Sequence, residues 1–399
     1  MSNHSLDLLL TRGVTNIIDA HHLNTRLSQG TPLRIKLGID PTGPQIHIGR
    51  AMLLWKLRAF QELGHQVVLI VGDFTAQVGD ASDKTSERPM LSQKDVQKNL
   101  QGYLNQLEKI LDLSQCEIHY NSEWLENLTF REISELAGIF SVSEMLDRDN
   151  FSQRHQAQER ISLHEFMYPL MQGYDSVMVK ADVEIGGNDQ YFNLMAGRKI
   201  QKHYRQEPQD IITFEFLVGL DGRKMSTSWG NGIFITDEPQ EMFGKIMTLK
   251  DELILDYFRL ATDETLDAIE QYRVELAAGV NPRDIKIELG KAIVRRYYSD
   301  TEADYVAEEF IRIFAEKSIP EDISEMTISL TDIDYKPVQL VAQAFGVSKT
   351  EARRLLQDGG VKIAQGEPLR LDSNLDSLRD EAVVFQKGKR HFIRIYITA

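Results

Sequence analysis

Asp40-Pro-Thr-Gly-Pro-Gln-Ile-His-Ile-Gly49 is a segment suited to meeting an anion. It falls where a strand pattern gives way to a helical one, and the free amides and positive dipole of a helix start attract phosphate. Gly43 and Gly49 let the backbone approach closely, while His47 at the helix start can donate to a phosphate oxygen or simply cap the helix. A second segment, Lys224-Met-Ser-Thr-Ser228, follows Gly222-Arg223 and precedes Gly230-Asn-Gly232. This glycine-flanked loop suits Arg223 and Lys224 to clamping a triphosphate as charge grows on a leaving group, although an ordinary surface turn has the same composition. Tyr168, Gln172 and Asp175 are spaced i, i+4 and i+7, so a helix puts all three on one face. Leu170, Met171 and Met178 alternate with them, which makes that face a pocket wall as readily as a solvated surface. Gly186-Gly-Asn-Asp-Gln190 adds a turn-like backbone followed by a carboxylate and an amide.

The elements that must position these residues alternate strand and helix. Leu33 to Asp40 alternates and is β-branched, which predicts a strand, and Ile46 to Leu63 carries Leu53, Leu54, Leu57 and Phe60 on one helical stripe that Gly64 ends. Gln66 to Asp73 is nearly all apolar, as a parallel strand covered on both faces is. Strand, helix, strand is the opening unit of a doubly wound sheet. Further strands are predicted at Glu117 to Tyr120, Asp182 to Ile185 with Gly186-Gly187 as its turn, and Ile211 to Gly219, with a helix from Asp189 to His203. Helical patterns between about 125 and 180 read as an insertion between two halves of the sheet. After Thr236 the pattern is helical, with Asp237 as a cap ahead of Pro239, Asn281 ahead of Pro282, and a further helix at Thr301 to Lys317. Residues 321–336 are acidic and without period, which predicts a linker. In the last 64 residues Ser348 with Glu351 forms a capping box, Gly359-Gly360 ends the helix, and short strands lie around Val361, Val383 and Phe392.

The bulk properties bound the partners. With 399 residues, 42% hydrophobic, the chain buries a sizeable core and has room for two or three domains. Mean hydropathy is −0.32, and the apolar run Val67 to Val71 is far too short to span a bilayer. Met-Ser-Asn-His-Ser-Leu-Asp lacks the basic and apolar regions of a leader. One cysteine, Cys116, excludes an internal disulfide and fits a reducing cytoplasm, where it reads as a small buried hydrophobe. The net charge of −15 argues against nucleic acid until it is divided. From Lys336 onward there are 11 Lys and Arg against 7 Asp and Glu, a net of +4, so the remainder carries −19. An acidic body with a basic end is compatible with RNA held at that end.

The two phosphate-handling segments resemble the HIGH and KMSKS signatures of class I aminoacyl-tRNA synthetases, in the same order and on the same elements. Tyr168 to Asp175 resembles the Tyr…Gln…Asp helix of the tyrosyl members, Gly186 to Gln190 their Gly-Gly-Ser-Asp-Gln element, and Asn281 to Lys286 the start of a helix in their anticodon-binding domain. The last 64 residues look like the ribosomal-protein-type RNA-binding fold of the bacterial tyrosyl enzymes. This resemblance implies an α/β fold: a Rossmann-type doubly wound parallel sheet as catalytic domain (1–235), an α-helical anticodon-binding domain (236–320), the linker, and a small α+β RNA-binding domain (337–399). It implies that Gly38, Asp40, Gly49, Arg50, Gly187, Asp189 and Lys224 hold ATP, which enters with Mg2+, and that no metal is bound by the protein itself. His47, Thr42 and Lys224 would stabilise the pentavalent phosphorus and the leaving pyrophosphate. Tyr168 and Gln172 would hold the α-amino group of tyrosine with Asp80, Asp175 would accept from its phenol hydroxyl, and Gln190 would touch it as well. Asn121 and Trp124 match a pair at the edge of the site. Lys349, Arg353 and Arg354, with Gln386 to Arg390, would contact tRNA, and the expected assembly is a cytoplasmic homodimer.

Three positions depart from the family pattern. The last His of HIGH is Arg50, the second Lys of KMSKS is Thr227, and Lys36 replaces a pocket Tyr that shares the substrate hydroxyl with the Asp, so discrimination would rest more on Asp175. A tryptophanyl enzyme, a small-acid adenylating enzyme that never meets tRNA, and a non-catalytic RNA-binding paralogue remain as alternatives at this point.

Overall fold

The computed structural model describes residues 3–398 except 81–89, 226–228, 316–322, 331, 335, 364–367, 376–377, 379–381 and 389–390, and describes side chains for these other than 3–5, 7 and 313–315. It forms two compact units, 1–304 and 305–399.

The first unit is built on a six-stranded sheet: β1 (Val14–Ile18), β2 (Arg34–Ile39), β3 (Gln66–Val71), β4 (Cys116–Tyr120), β5 (Val183–Gly187) and β6 (Asp210–Phe214), in the order β1-β6-β5-β2-β3-β4. The five strands from β2 to β6 pair in parallel, and β1 joins β6 antiparallel. The chain winds outward from β2 through β3 to β4, then returns to lay β5 against the other side of β2. That reversal opens a crevice beyond the carboxyl ends of β2 and β5, where doubly wound sheets take their ligands. β3 is buried at five of six positions and β5 and β6 throughout, so apolar runs replace alternation. Strand β2 is likewise buried at Ile35, Lys36 and Leu37 in succession, against the alternation expected there.

Helix Ile48–Glu62 follows β2 and buries Leu54, Leu57 and Phe60, while Gly64 turns the chain at φ 85°, a region that favours glycine. Helix Leu163–Met178 opens with a capping box of Ser162 and Glu165. It crosses helix Tyr191–His203 so tightly that a Cβ on Gly173 would lie 3.1 Å from the backbone of Ala196 and Gly197. Gly186 and Gly187 end β5 rather than forming a turn, because both remain paired with β6, and β6 itself stops at Phe214.

Pro239 and Pro282 open helices Pro239–Ile246 and Pro282–Tyr297, the second capped by the Asn281 side chain accepting from the Arg283 amide at 3.0 Å. Asp237 is not a cap: it accepts from the Phe234 amide and from Lys245, and Glu238 takes the cap position without a side-chain bond. These helices share the compact unit of the sheet, so no break between units falls at 235/236.

In the second unit β7 (Ser324–Ser329), β8 (Val361–Ile363), β9 (Ala382–Lys387) and β10 (His391–Thr398) form a sheet in the order β7-β10-β9-β8, with helices Pro337–Ala344 and Lys349–Gln357 packed on a shared core. Strand β7 lies inside the segment expected as linker. It pairs in parallel with β10 and buries Ile328, and its flanking acidic residues had hidden the alternation of Met326 and Ile328.

Candidate active site

A cleft of about 750 Å³ opens at the crevice beyond β2 and β5. It brings together Gly38, Asp40, Thr42, His47, Gly49 and Arg50 from the β2 end, Tyr168, Gln172 and Asp175 from helix Leu163–Met178, Gly187, Asp189 and Gln190 from the β5 end, and Asp80 and Lys224.

One end is a wall of buried oxygen acceptors. Asp175 is 3% exposed and accepts from Trp124 Nε1 at 2.8 Å and Asn121 Nδ2 at 3.3 Å. Burial pushes its carboxyl up to about 7, against the pull of Lys36 and of those two donors. Tyr168 donates its hydroxyl to Asp40 Oδ2 at 2.8 Å, and burial beside Asp40 and Asp80 raises it well above the usual phenol range, so it stays protonated. With its proton committed to Asp40, the Tyr168 oxygen presents lone pairs. Thr75 donates to the other Asp40 oxygen at 2.8 Å and accepts from Asn121 at 3.0 Å, which joins the Asp40 and Asp175 carboxyls through one chain of bonds. Asp80 accepts from Gln190 Nε2 at 2.6 Å and Asn193 Nδ2 at 3.4 Å.

The other end is cationic and glycine-lined. His47 caps helix Ile48–Glu62, its Nδ1 accepting from the Arg50 amide at 3.2 Å. Burial, with Arg50 and Lys224 nearby, lowers the imidazole to about 3, so the ring is neutral and its remaining proton sits on Nε2. Arg50 reaches back to Thr42 Oγ1 at 3.3 Å, which keeps its guanidinium at the turn between β2 and helix Ile48–Glu62. Lys224 Nζ lies 3.0 Å from Asp189 Oδ2 and 5.0 Å from the centre of the Phe216 ring. Gly38 faces open space, whereas a Cβ on Gly187 would meet Phe216 at 2.7 Å. Thr227, one of the departures from the family pattern, lies outside the described residues.

Several contributors escaped the sequence reading. Thr75 and Gly72 frame Asp40 so tightly that a Cβ on Gly72 would sit 2.0 Å from Asp40 Oδ1; the glycine directly after a buried strand was the available signal. Lys36 was expected in the pocket, yet it is fully buried under it and does not line the cleft. Its Nζ donates to Gln172 O at 2.8 Å and Ser176 Oγ at 2.7 Å and pairs with Glu184 Oε1 at 2.9 Å. Cys116 starts β4 but is only half-buried. Lys349, Arg353 and Arg354 are exposed on helix Lys349–Gln357 of the second unit, and Lys389 and Arg390 fall outside the described residues. Away from the cleft, Asp19, His22 and Asp210 bring one ligand atom each within 4.8 Å of one another, in an arrangement dominated by the 3.0 Å contact of His22 with Asp210.

A doubly wound sheet with a cleft at its switch point, lined by residues of both the Asp40–Gly49 and the Lys224 segments, is the arrangement expected of a class I aminoacyl-tRNA synthetase. Residues 28–315 match the family described as tRNA synthetases class I (W and Y), and the chain belongs to it. It is 45% identical over 392 residues to tyrosine–tRNA ligase 2 of Vibrio parahaemolyticus, covering 97% of each chain, and 44% identical over 397 residues to tyrosine–tRNA ligase of Carboxydothermus hydrogenoformans, covering 97% of this chain and 96% of that one. Within the class, then, the chain is a member of the tyrosine–tRNA ligase family. Solved structures share the fold: a C-terminally truncated mitochondrial tyrosyl-tRNA synthetase of Aspergillus nidulans at TM-score 0.63 and 21% identity (78% of this chain, 94% of that one), and the Archaeoglobus fulgidus enzyme complexed with L-tyrosine at 0.60 and 22% (76% and 98%).

Proposed function

We propose that the cleft performs the tyrosine–tRNA ligase reaction with the division of labour its two ends suggest. The chain activates tyrosine with ATP to tyrosyl-adenylate and pyrophosphate, then transfers tyrosine to tRNA(Tyr). The observation that carries the assignment of ends is the buried Asp175 carboxyl, held by Trp124 and Asn121 in a cleft whose opposite end holds His47 and Lys224. Asp175 receives the phenol hydroxyl. The oxygens of Tyr168, Gln172 and Asp80 receive the three protons of the α-ammonium. ATP lies toward the β2 and β5 ends, its ribose at Asp189 and its phosphates at the start of helix Ile48–Glu62, with Gly38 leaving open space for close approach, while Gly49 and Gly187 make room for His47 and Phe216 beside it.

The tyrosine carboxylate attacks the α-phosphate in line and pyrophosphate leaves. No enzyme nucleophile is required, so the protein contributes positioning and charge stabilisation. His47 donates Nε2–H, Thr42 its hydroxyl, and Lys224, released from Asp189, its ammonium to the oxygens that gain charge. Magnesium enters as part of the ATP substrate. The exposed Lys349, Arg353 and Arg354 bind tRNA phosphates, the helices after residue 236 the anticodon arm, and the enzyme acts as a homodimer in the cytoplasm. Pyrophosphate exchange into ATP with tyrosine, phenylalanine or tryptophan, followed by charging of tRNA, tests the reading. Tyrosine-dependent exchange and charging are expected, and exchange that another amino acid supports equally well overturns the assignment of the pocket.

A further inference from the structure

Lys36 and Glu184 are register partners in the parallel pairing of β2 with β5, so the sheet itself sets their side chains together. Both are buried, at 0% and 1% exposure, and neither lines the cleft. The three protons of Lys36 are spent on Gln172 O, Ser176 Oγ and Glu184 Oε1. Both oxygens of Glu184 accept: Oε1 from Lys36 and from Gln172 Nε2 at 3.1 Å, Oε2 from Ser176 Oγ at 3.1 Å and from Gln209 Nε2.

We infer that the Lys36–Glu184 pair is a positioning device that fixes the Gln172 side-chain amide with its carbonyl oxygen toward the cleft. A carboxylate only accepts, so the amide group facing Glu184 is the NH2. The amide is planar, which turns Oε1 away from Glu184, and Gln172 lines the cleft. A neutral partner at position 184 would leave both amide orientations open. Glu184 removes that freedom, and burying its charge requires a buried cation, which Lys36 supplies. The bond from Lys36 to the Gln172 carbonyl also ties the helix backbone at this residue. The inference rests on the reading that Gln172 Oε1 contacts the tyrosine ammonium: with the amide reversed, N–H groups would face a cation. Lys36, which touches no substrate, thereby sets recognition of the amino group, and selection of the phenol is left to Asp175.

The test compares equilibrium binding of tyrosine with that of 3-(4-hydroxyphenyl)propanoate, which keeps the phenol and carboxylate and lacks the ammonium. Glu184→Gln weakens tyrosine about tenfold or more, the scale of a lost hydrogen bond to a charged group, and leaves the propanoate within about twofold. The double variant Lys36→Met/Glu184→Gln avoids a lone buried cation and shows the same split even if the single variant folds poorly. Equal weakening of both ligands, or of neither, in the double variant overturns the inference. Gln172→Ala separates the two layers: loss of tyrosine there without loss in the position-184 variants refutes only the positioning role, while no loss in Gln172→Ala refutes the contact on which it rests.

Discussion

Replacing Asp175 by Asn keeps the shape of the side chain and exchanges one acceptor for a donor. Its two neighbours, Trp124 and Asn121, both donate, and the Trp124 contact at 2.8 Å is the shorter. In the Asp175→Asn variant the new amide therefore turns its oxygen to Trp124 and its NH2 to Asn121 and the cleft. A phenol entering this pocket loses the carboxylate that took its proton, a bond to a charged group worth about 1.5–3 kcal/mol, and its hydroxyl proton is left buried without an acceptor, which costs about 1–3 kcal/mol. With partial relaxation the sum is about 3 kcal/mol, or roughly a 10²-fold fall in kcat/KM for tyrosine. Phenylalanine makes neither contact, and a neutral amide is a better neighbour for its ring than a carboxylate, so its kcat/KM holds or rises slightly. The tyrosine-to-phenylalanine ratio falls about 10²-fold from a starting value that, in measurements on this same enzyme family, is about 10⁵. Pyrophosphate exchange with each amino acid reads the ratio. A parallel fall for both amino acids would mean that Asp175 only supports the pocket, and an unchanged tyrosine value would mean that the phenol is read elsewhere.

The same variant carries a pH signature. The Asp175 carboxyl titrates at about 7 in the folded chain against 3.8 in a model peptide, chiefly through burial. A raised carboxyl pKa means that the folded state holds its proton longer than the unfolded state. Its contribution to stability is thus greatest below about 4, declines as pH rises to about 7, and is flat above, a span of up to about 4 kcal/mol. The unfolding free energy of the natural chain minus that of Asp175→Asn follows this fall in denaturant titrations, whereas tyrosine affinity in the natural chain rises over about pH 6 to 7 as the acceptor ionises.

Lys224→Met lowers the rate of pyrophosphate exchange by about 10²-fold to 10³-fold with tyrosine affinity unchanged, since the lysine meets only charge that develops on the phosphates; a change in tyrosine binding alone refutes this. His47→Ala costs about 1 kcal/mol of stability through the lost acceptor for the Arg50 amide, while His47→Asn keeps the cap. Because the imidazole is lowered to about 3, His47→Asn leaves the shape of the pH–rate profile from about pH 5 to 9 unchanged. Gly72→Ala drives a Cβ to within 2.0 Å of Asp40 Oδ1 and 2.3 Å of Thr75 Oγ1, so tyrosine affinity and the melting temperature fall together. Exchanging Lys349, Arg353 and Arg354 for Gln weakens tRNA charging, reduces its salt dependence by about one unit of slope per lost phosphate contact, and leaves pyrophosphate exchange intact.

Much of the architecture was legible because it rests on local signals that agree. The buried run of β3, the stripe ending at Gly64, and prolines at the first positions of two helices each have one physical reading, and the structure carries them. Edges were harder. Strand β1 was missed because Thr15 and Asn16 are exposed on an edge strand, and β7 because its sequence lies among acidic residues whose charge outweighed two inward apolar positions. Pairing partners of such strands are distant in the chain: β1 binds β6 and β7 binds β10, so nothing local announces either.

The site divides along the same line. The face shared by Tyr168, Gln172 and Asp175 followed from helical spacing alone, whereas what each atom can do followed only from its partners. Tyr168 is an acceptor toward the cleft because Asp40 takes its proton, and His47 is a donor at Nε2 because the Arg50 amide occupies Nδ1. Lys36 looked like a pocket residue because it stands where the tyrosyl family has a pocket Tyr, and that resemblance does not say what covers a lysine at the position. The clue that sequence did hold was a pair: a charged residue in the interior of each of two largely apolar strands, Lys36 in β2 (which also opens on Arg34) and Glu184 in β5, of opposite sign. Two such charges in strands buried on both faces have few stable arrangements other than contact with each other, since an unpaired buried charge costs far more than the strand contributes. That argument narrows the neighbour of Lys36 to a strand that carries an acid, which β4, β5 and β6 all do, and the register of β2 with β5 is what selects Glu184.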